Sequence, residues 1–162
     1  MSDNYLKLIP AQKDFVPKES THQDAITFLE ELTPDGEEVE VEVYESLTFI
    51  DQGQNLEEII CPSCHNSLQQ DIYSEEETDC EKVFEKIDEQ SEGGELSHGV
   101  IEMPCCGNTV NTTDLTFKWP AGFAKFELSA LNPELEGLIS EGDIEKLSNI
   151  LGCKLLQVWA RY

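Results

Sequence analysis

Basic residues are scarce in this 162-residue chain: 10 Lys+Arg stand against 34 Asp+Glu, for a formal charge of −24. A field of that sign repels phosphate backbones, so nucleic-acid binding would meet long-range repulsion instead of gaining counterion release. Long apolar runs are missing as well, and nothing approaches the roughly 18–20 residues a membrane span requires. Residues 1–5 lack the basic-then-apolar pattern of an export signal, so a cytoplasmic, reducing setting is expected. Six cysteines are too thinly spread for a disulfide scaffold. No Ser-His-Asp arrangement, phosphate-cradling glycine loop or nucleotide fingerprint is present.

The acid excess sits mainly in the first two-thirds. Residues 1–51 carry 13 acids and 3 bases, 52–118 carry 15 and 3, and 119–162 carry 6 and 4. The densest stretch is 74–95. Such a surface keeps a protein soluble, and it steers in a basic protein partner.

Periodicity places two similar halves around a long middle. Tyr5-Leu6-Lys7-Leu8-Ile9 reads as a strand closed by Pro10. Ser20 with Gln23 fits a capping box, and Ala25, Phe28, Leu29 and Leu32 then make one helical stripe. His22, in the first turn, is expected at the surface. Glu38-Val39-Glu40-Val41-Glu42-Val43 alternates strictly, continuing through Leu47 and Phe49 with a bulge expected near Glu45. The last third repeats the order. Ala124, Phe126, Leu128 and Ala130 alternate as a strand, and Ser140 with Asp143 opens a helix carrying Ile144, Leu147, Ile150 and Leu151. Gly152 suits a left-handed cap, and Leu156, Val158 and Ala160 alternate in a final strand. The fold class expected is α+β: a ferredoxin-like (βαβ-βαβ) antiparallel sheet with two helices, built from residues 1–51 and 119–162. The exposed edge at 38–50 is a place where a second copy could pair.

Residues 52–118 are too many for a hairpin loop and read as an inserted zinc-ribbon-like subdomain between strands 2 and 3. Ser74 with Glu77 starts an acidic helix near 74–90, with Cys80, Val83, Phe84 and Ile87 on one side. Val100-Ile101-Glu102-Met103 is a short strand running into Pro104-Cys105-Cys106-Gly107. This insert holds few large apolar groups, so its core alone is expected to be marginal.

The chemistry lies in four cysteines. Cys61-Pro62-Ser63-Cys64 places two sulfurs in one tight turn, half of a tetrahedral zinc shell. Pro104-Cys105-Cys106-Gly107 is the matching half, with Met103 where a first cysteine would stand. Cys106 then takes the second-ligand place, and Cys105 supplies the fourth sulfur as its direct neighbour, with His98 or His65 as the fallback. The expected cofactor is one structural Zn2+ on Cys61, Cys64, Cys105 and Cys106, a closed shell with no position for catalysis. Free buried thiols are the plainer alternative. C-P-S-C also has the form of a thioredoxin-type redox turn, but residues 65–71 make a poor amphipathic helix, which argues against it. Cys80 and Cys153 are expected to pack in cores. Trp119-Pro120-Ala121-Gly122-Phe123 is expected to pack the two units together, or else to grip a partner. Asp51, Asn55, Asn111 and Asp114 read as turn residues that could instead line a polar cleft.

Through Asp51-Gln52-Gly53, Cys61-Pro62-Ser63-Cys64, Pro104-Cys105-Cys106-Gly107, Asp114-Leu115, Trp119–Phe126, Asn132-Pro133, Leu151-Gly152-Cys153 and Trp159, the chain resembles a family of uncharacterised bacterial proteins. The resemblance implies a bacterial cytosolic setting and a metal knuckle at the four cysteines. It implies no activity. The expectation is a non-enzymatic, zinc-stabilised binding protein for a basic protein partner, with thiol chemistry at Cys61/Cys64 or Cys105/Cys106 as the alternative. A nucleic-acid-binding ribbon is disfavoured by the charge.

Overall fold

Strict alternation makes the strands here and i, i+3, i+4 spacing makes the helices. The computed structural model describes residues 2–162. In chain order the elements are β1 (Asn4–Pro10), α1 (His22–Leu32), β2 (Glu38–Ile50), β3 (Glu58–Ile60), β4 (Ser67–Gln69), α2 (Asp79–Glu92), β5 (Val100–Glu102), β6 (Thr109–Asn111), β7 (Thr116–Lys118), β8 (Gly122–Leu131), α3 (Glu141–Leu151) and β9 (Leu155–Arg161). The architecture is α+β, and every strand pairing in the sheets is antiparallel.

The largest sheet has the order β2-β8-β1-β9. Leu6, Leu8, Phe126, Leu128 and Ala130 are buried in one cluster with Ala25 and Leu29 of α1 and Leu147 and Leu151 of α3. The helices thus cover one face. Lys7, Glu127 and Ser129, one position out of phase, fall on the other. Ser140 accepts from the Asp143 backbone N–H at 3.2 Å, and Gly152 closes α3 in the left-handed region at φ 78°.

Two helix starts differ from the periodicity. Residues 19–21 wind into a 3-10 turn, so Ser20 and Thr21 lack the extended backbone that a capping box needs. The Thr21 hydroxyl donates to the Lys18 carbonyl at 2.6 Å, and Gln23 donates to Thr27. Helix α2 begins at Asp79, not Ser74. Thr78 caps it, accepting from the Glu81 N–H at 3.1 Å, while the Ser74 hydroxyl turns to the Glu76 carbonyl. His22 is half-buried, with its ring 5.1 Å from that of Phe126 and Nε2 3.0 Å from the Pro17 carbonyl, so it is not a surface residue.

The hairpin of β2 and β8 continues beyond the helix-covered part. Its register shifts between Val43 and Thr48, a bulge that turns Leu47 and Phe49 into a second apolar cluster. There they meet Leu56, Ile59, Val83, Ile87, Leu96, Ile101 and Met103. Phe49 is the hub, its ring centroid 5.4 Å from Phe84, 5.5 Å from Phe117 and 5.4 Å from Phe123. Residues 52–118 therefore do not rely on a marginal core of their own: this cluster borrows Leu47, Phe49 and Phe123 from the β2–β8 pair and, among the described residues, holds more buried side chains than the helix-covered cluster. Trp119-Pro120-Ala121-Gly122-Phe123 lies at the joint. Phe123 is buried, Ala121 packs against the cluster, and half-exposed Trp119 donates from Nε1 to Glu57 at 2.9 Å.

Gly53 ties the joint to β9. Its φ is +57°, and a Cβ there would lie 2.2 Å from the Arg161 carbonyl oxygen. Only glycine fits so close an approach. Among the described residues no helix is long and apolar enough to cross a membrane.

Replacing the hub, Phe49→Ala, is expected to cost about 3–5 kcal/mol in urea unfolding. Hydrogen exchange should show protection lost first in residues 56–118, with the β1–β9 pairing retained. Uniform loss across the chain would contradict the division into two cores.

Candidate metal centre

Two short hairpins carry the cysteines. In the first, β3 pairs with β4, Ile60 opposite Ser67, and the turn is residues 61–66. In the second, β5 pairs with β6, Glu102 opposite Thr109, and the turn is residues 103–108. The two turns close with matching hydrogen bonds. Cys61 N donates to Asn66 O at 2.9 Å and His65 N to Cys61 O at 3.0 Å. Met103 N donates to Asn108 O at 2.9 Å and Gly107 N to Met103 O at 2.8 Å. His65 and Gly107, at equal offsets, both take positive φ, 62° and 73°.

Cys-Pro-Ser-Cys-His-Asn thus superposes position by position on Met-Pro-Cys-Cys-Gly-Asn. Cys106 stands where Cys64 stands, Met103 where Cys61 stands, and Cys105 in the place of Ser63. Met103 is fully buried in the apolar cluster, so the first-cysteine position of the second turn has become a core contact. The signal for this correspondence lay in the equal spacing of Pro62 with Asn66 and Pro104 with Asn108, a repeat that the cysteine pattern alone conceals. The turns are also joined directly, Asn108 Nδ2 donating to Ser63 Oγ at 2.8 Å.

All four sulfurs come together. Cys64 and Cys105 are 3.4 Å apart, Cys61 and Cys106 3.9 Å, and the four Sγ atoms lie within 4.8 Å of one another. A tetrahedral shell with metal–sulfur bonds of ~2.3 Å sets its sulfurs ~3.8 Å apart. The hollow fits a metal ion of that size, and a donor set of thiolates suits soft or borderline-soft cations. Neither His65 nor His98 belongs to the cluster, and both are exposed. All six cysteines are free thiols, with no disulfide between any pair.

The electrostatics of the hollow ask for positive charge. Burial pushes the Cys61 thiol up. The backbone N–H groups of Cys64 and Ser63, then the thiols of Cys64 and Cys105, outweigh it and bring Cys61 down to about 7. Cys105 is pushed up to about 12, by burial first and then by its sulfur contacts with Cys64 and Cys61 and the charge they carry. One thiolate forms readily, and its presence resists the next. A divalent cation removes that conflict and displaces the remaining protons.

The other sequence candidates lie elsewhere. Cys80 is fully buried on α2, its thiol raised to about 11 chiefly by burial, and Cys153 packs half-buried beside the helix-covered cluster. Asp51, Asn55, Asn111 and Asp114 are taken up by separate hydrogen bonds. Asp51 Oδ2 accepts from Gly53 N at 3.0 Å, Asn55 donates to the Trp159 carbonyl at 3.0 Å, and Asn111 Nδ2 is 3.4 Å from Asp114 Oδ2. Compared with known proteins, the chain matches no protein-family model, no curated protein and no solved structure.

Proposed function

We propose that Cys61, Cys64, Cys105 and Cys106 hold one structural Zn2+, and that the chain is a non-enzymatic binding protein whose acidic surface receives a basic protein partner. The observation that carries the metal reading is the convergence of four sulfurs from two like turns at spacings close to those of a tetrahedral shell. Strands of three residues, such as β3 to β6, are too short to be stable hairpins unaided. A bridging ion would supply what the ladders lack. Four thiolate ligands leave the ion no open coordination position, which argues for a structural role over metal-assisted hydrolysis.

In this reading residues 1–51 and 119–162 form a ferredoxin-like domain, supported by the order β2-β8-β1-β9 with two helices on one face. Residues 52–118 form an inserted zinc-ribbon-like unit, supported by its two cysteine-bearing hairpins. A bacterial, cytoplasmic setting and kinship with the uncharacterised family rest on the cysteine and tryptophan motifs. The partner reading rests on the formal charge of −24 and on α2, whose 14 residues include Asp79, Glu81, Glu85, Asp88, Glu89 and Glu92.

Native mass spectrometry of protein purified without chelator should find one zinc per chain. Chelation should then strip hydrogen-exchange protection from residues 58–69 and 100–111, leaving β1, β8 and β9 protected. A metal-free chain whose four thiols alkylate rapidly would instead support thiol chemistry. Retardation of DNA or RNA at low salt would support a nucleic-acid ribbon.

Cys105→Ser offers a sharper test of the neighbouring-cysteine arrangement. Losing one of four thiolates should weaken zinc affinity by about 10–100-fold or more, on the scale at which even the groups supporting metal ligands count. Chelator competition measures it. His98→Ala and His65→Ala should leave the affinity unchanged.

A further inference from the structure

The face of the main sheet that the helices leave open carries an arrangement the metal reading does not use. Glu42 on β2 stands directly opposite Glu127 on β8, two like charges in register on neighbouring strands. Such a pair opposes the pairing it sits on. Glu127 is also only 9% exposed. Among the described residues no cationic nitrogen lies within 4.0 Å of its carboxylate.

Lys7 is the cation beside this pair, and it is held by Asp51 and Tyr162. Its ammonium donates to the Asp51 carbonyl at 3.0 Å and to the Tyr162 hydroxyl at 2.5 Å, and lies 3.6 Å from Asp51 Oδ1. Glu127 keeps a single long hydrogen bond, from the Tyr44 hydroxyl at 3.4 Å, and that hydroxyl also reaches Glu42 at 3.2 Å. Around these groups lies a cleft of about 320 Å3, walled by Tyr5 and Tyr44, rimmed by Glu40 and Glu42, and closed at one end by the Lys7–Asp51 pair, with Lys7 Nζ 4.9 Å from the centre of the Tyr162 ring. Buried carboxylate, opposed glutamate and aromatic wall are what a desolvated organic cation needs.

We propose that this open-face cleft is a binding site for a primary ammonium group, seated between the Glu127 and Glu42 carboxylates on the Tyr44 side, away from the Lys7–Asp51 pair. An ammonium has three donors to place, and Glu127, Glu42 and the Tyr44 oxygen offer three acceptors. A bare metal ion is the poorer fit. Its ligands must converge, and among the described residues the group that converges is the four cysteines, not these acids. The volume suits a short alkyl chain, carried by a free amine or by a lysine side chain of another protein.

Titration of Glu127 reports occupancy. Burial raises its carboxyl above the ordinary value; Lys7 and the Tyr44 hydroxyl pull it down, while Glu42 and Asp51 push it up. A carboxyl raised in the folded state stabilises while protonated, and that contribution is lost as pH rises through the raised value. A seated cation reverses the loss.

The experiment titrates 1,4-diaminobutane and, separately, an end-blocked Gly-Gly-Lys-Gly-Gly peptide into the wild-type protein, Glu127→Gln and Glu136→Gln at physiological salt. Glu136 is an exposed acid away from the cleft, so its variant loses the same charge. Wild type and Glu136→Gln should bind at least one probe equally, and Glu127→Gln about tenfold or more weaker. Diamine alone identifies a free amine, and binding of the peptide identifies a lysine side chain. In the wild type, the carbon-13 titration midpoint of the Glu127 carboxyl should fall when the probe is added. Equal weakening in both variants, no weakening in Glu127→Gln, an unmoved midpoint, or no binding of either probe would overturn the proposal.

Discussion

Thiols crowded into one hollow cannot all ionise beside one another, and this constraint shapes the middle of the molecule. Cys61 forms a thiolate readily because backbone N–H groups point at its sulfur, while Cys105, next to that charge, holds its proton up to about 12. The two hairpins that bring the sulfurs together have three-residue strands, too short for ladder hydrogen bonds alone to hold. In the proposed account a zinc ion turns the repulsion into the strongest bond between the hairpins. The apolar cluster beneath them, with Met103 in a first-cysteine position, then sets their relative orientation.

That cluster also joins the two parts of the chain. The bulge in β2 lets one hairpin serve two cores, its first half packing under the helices and its second half delivering Leu47 and Phe49 to the cysteine-bearing segment. Phe49 touches aromatic rings from α2, β7 and β8, so disturbance at the knuckles has a packed route to the main sheet. The open face is on the same strands, with Asp51 just beyond β2 and Glu127 within β8. Cysteine cluster and acidic cleft therefore share a scaffold while using different residues.

Much of this was legible in the residues. The valines at 39 and 41, the stripe from Ile144 to Leu151 and the Gly152 cap follow from side-chain period and backbone freedom, which are local properties. Cys105 was legible as a partner because Met103 cannot supply a thiolate. The failures share a cause, which is competition or distance. Ser74 and Thr78 both begin an S/T-x-x-E pattern, and only the packed positions of Cys80, Val83 and Ile87 choose Thr78. Ser20 fits a capping box until the approach through Lys18 winds it into a 3-10 turn. Counting apolar residues within 52–118 misses Phe49 and Phe123, which arrive from outside that range. The cleft could not be read at all, since Lys7 and Tyr162, in contact, are 155 positions apart.

X-ray absorption at the zinc edge, on protein isolated without added metal, reads the proposed zinc–thiolate shell itself. Zinc held by Cys61, Cys64, Cys105 and Cys106 should give a single shell of four sulfur neighbours at ~2.3 Å with no nitrogen or oxygen contribution. A mixed shell containing imidazole or water, or a chain without zinc whose cysteines are joined in disulfides, would contradict it.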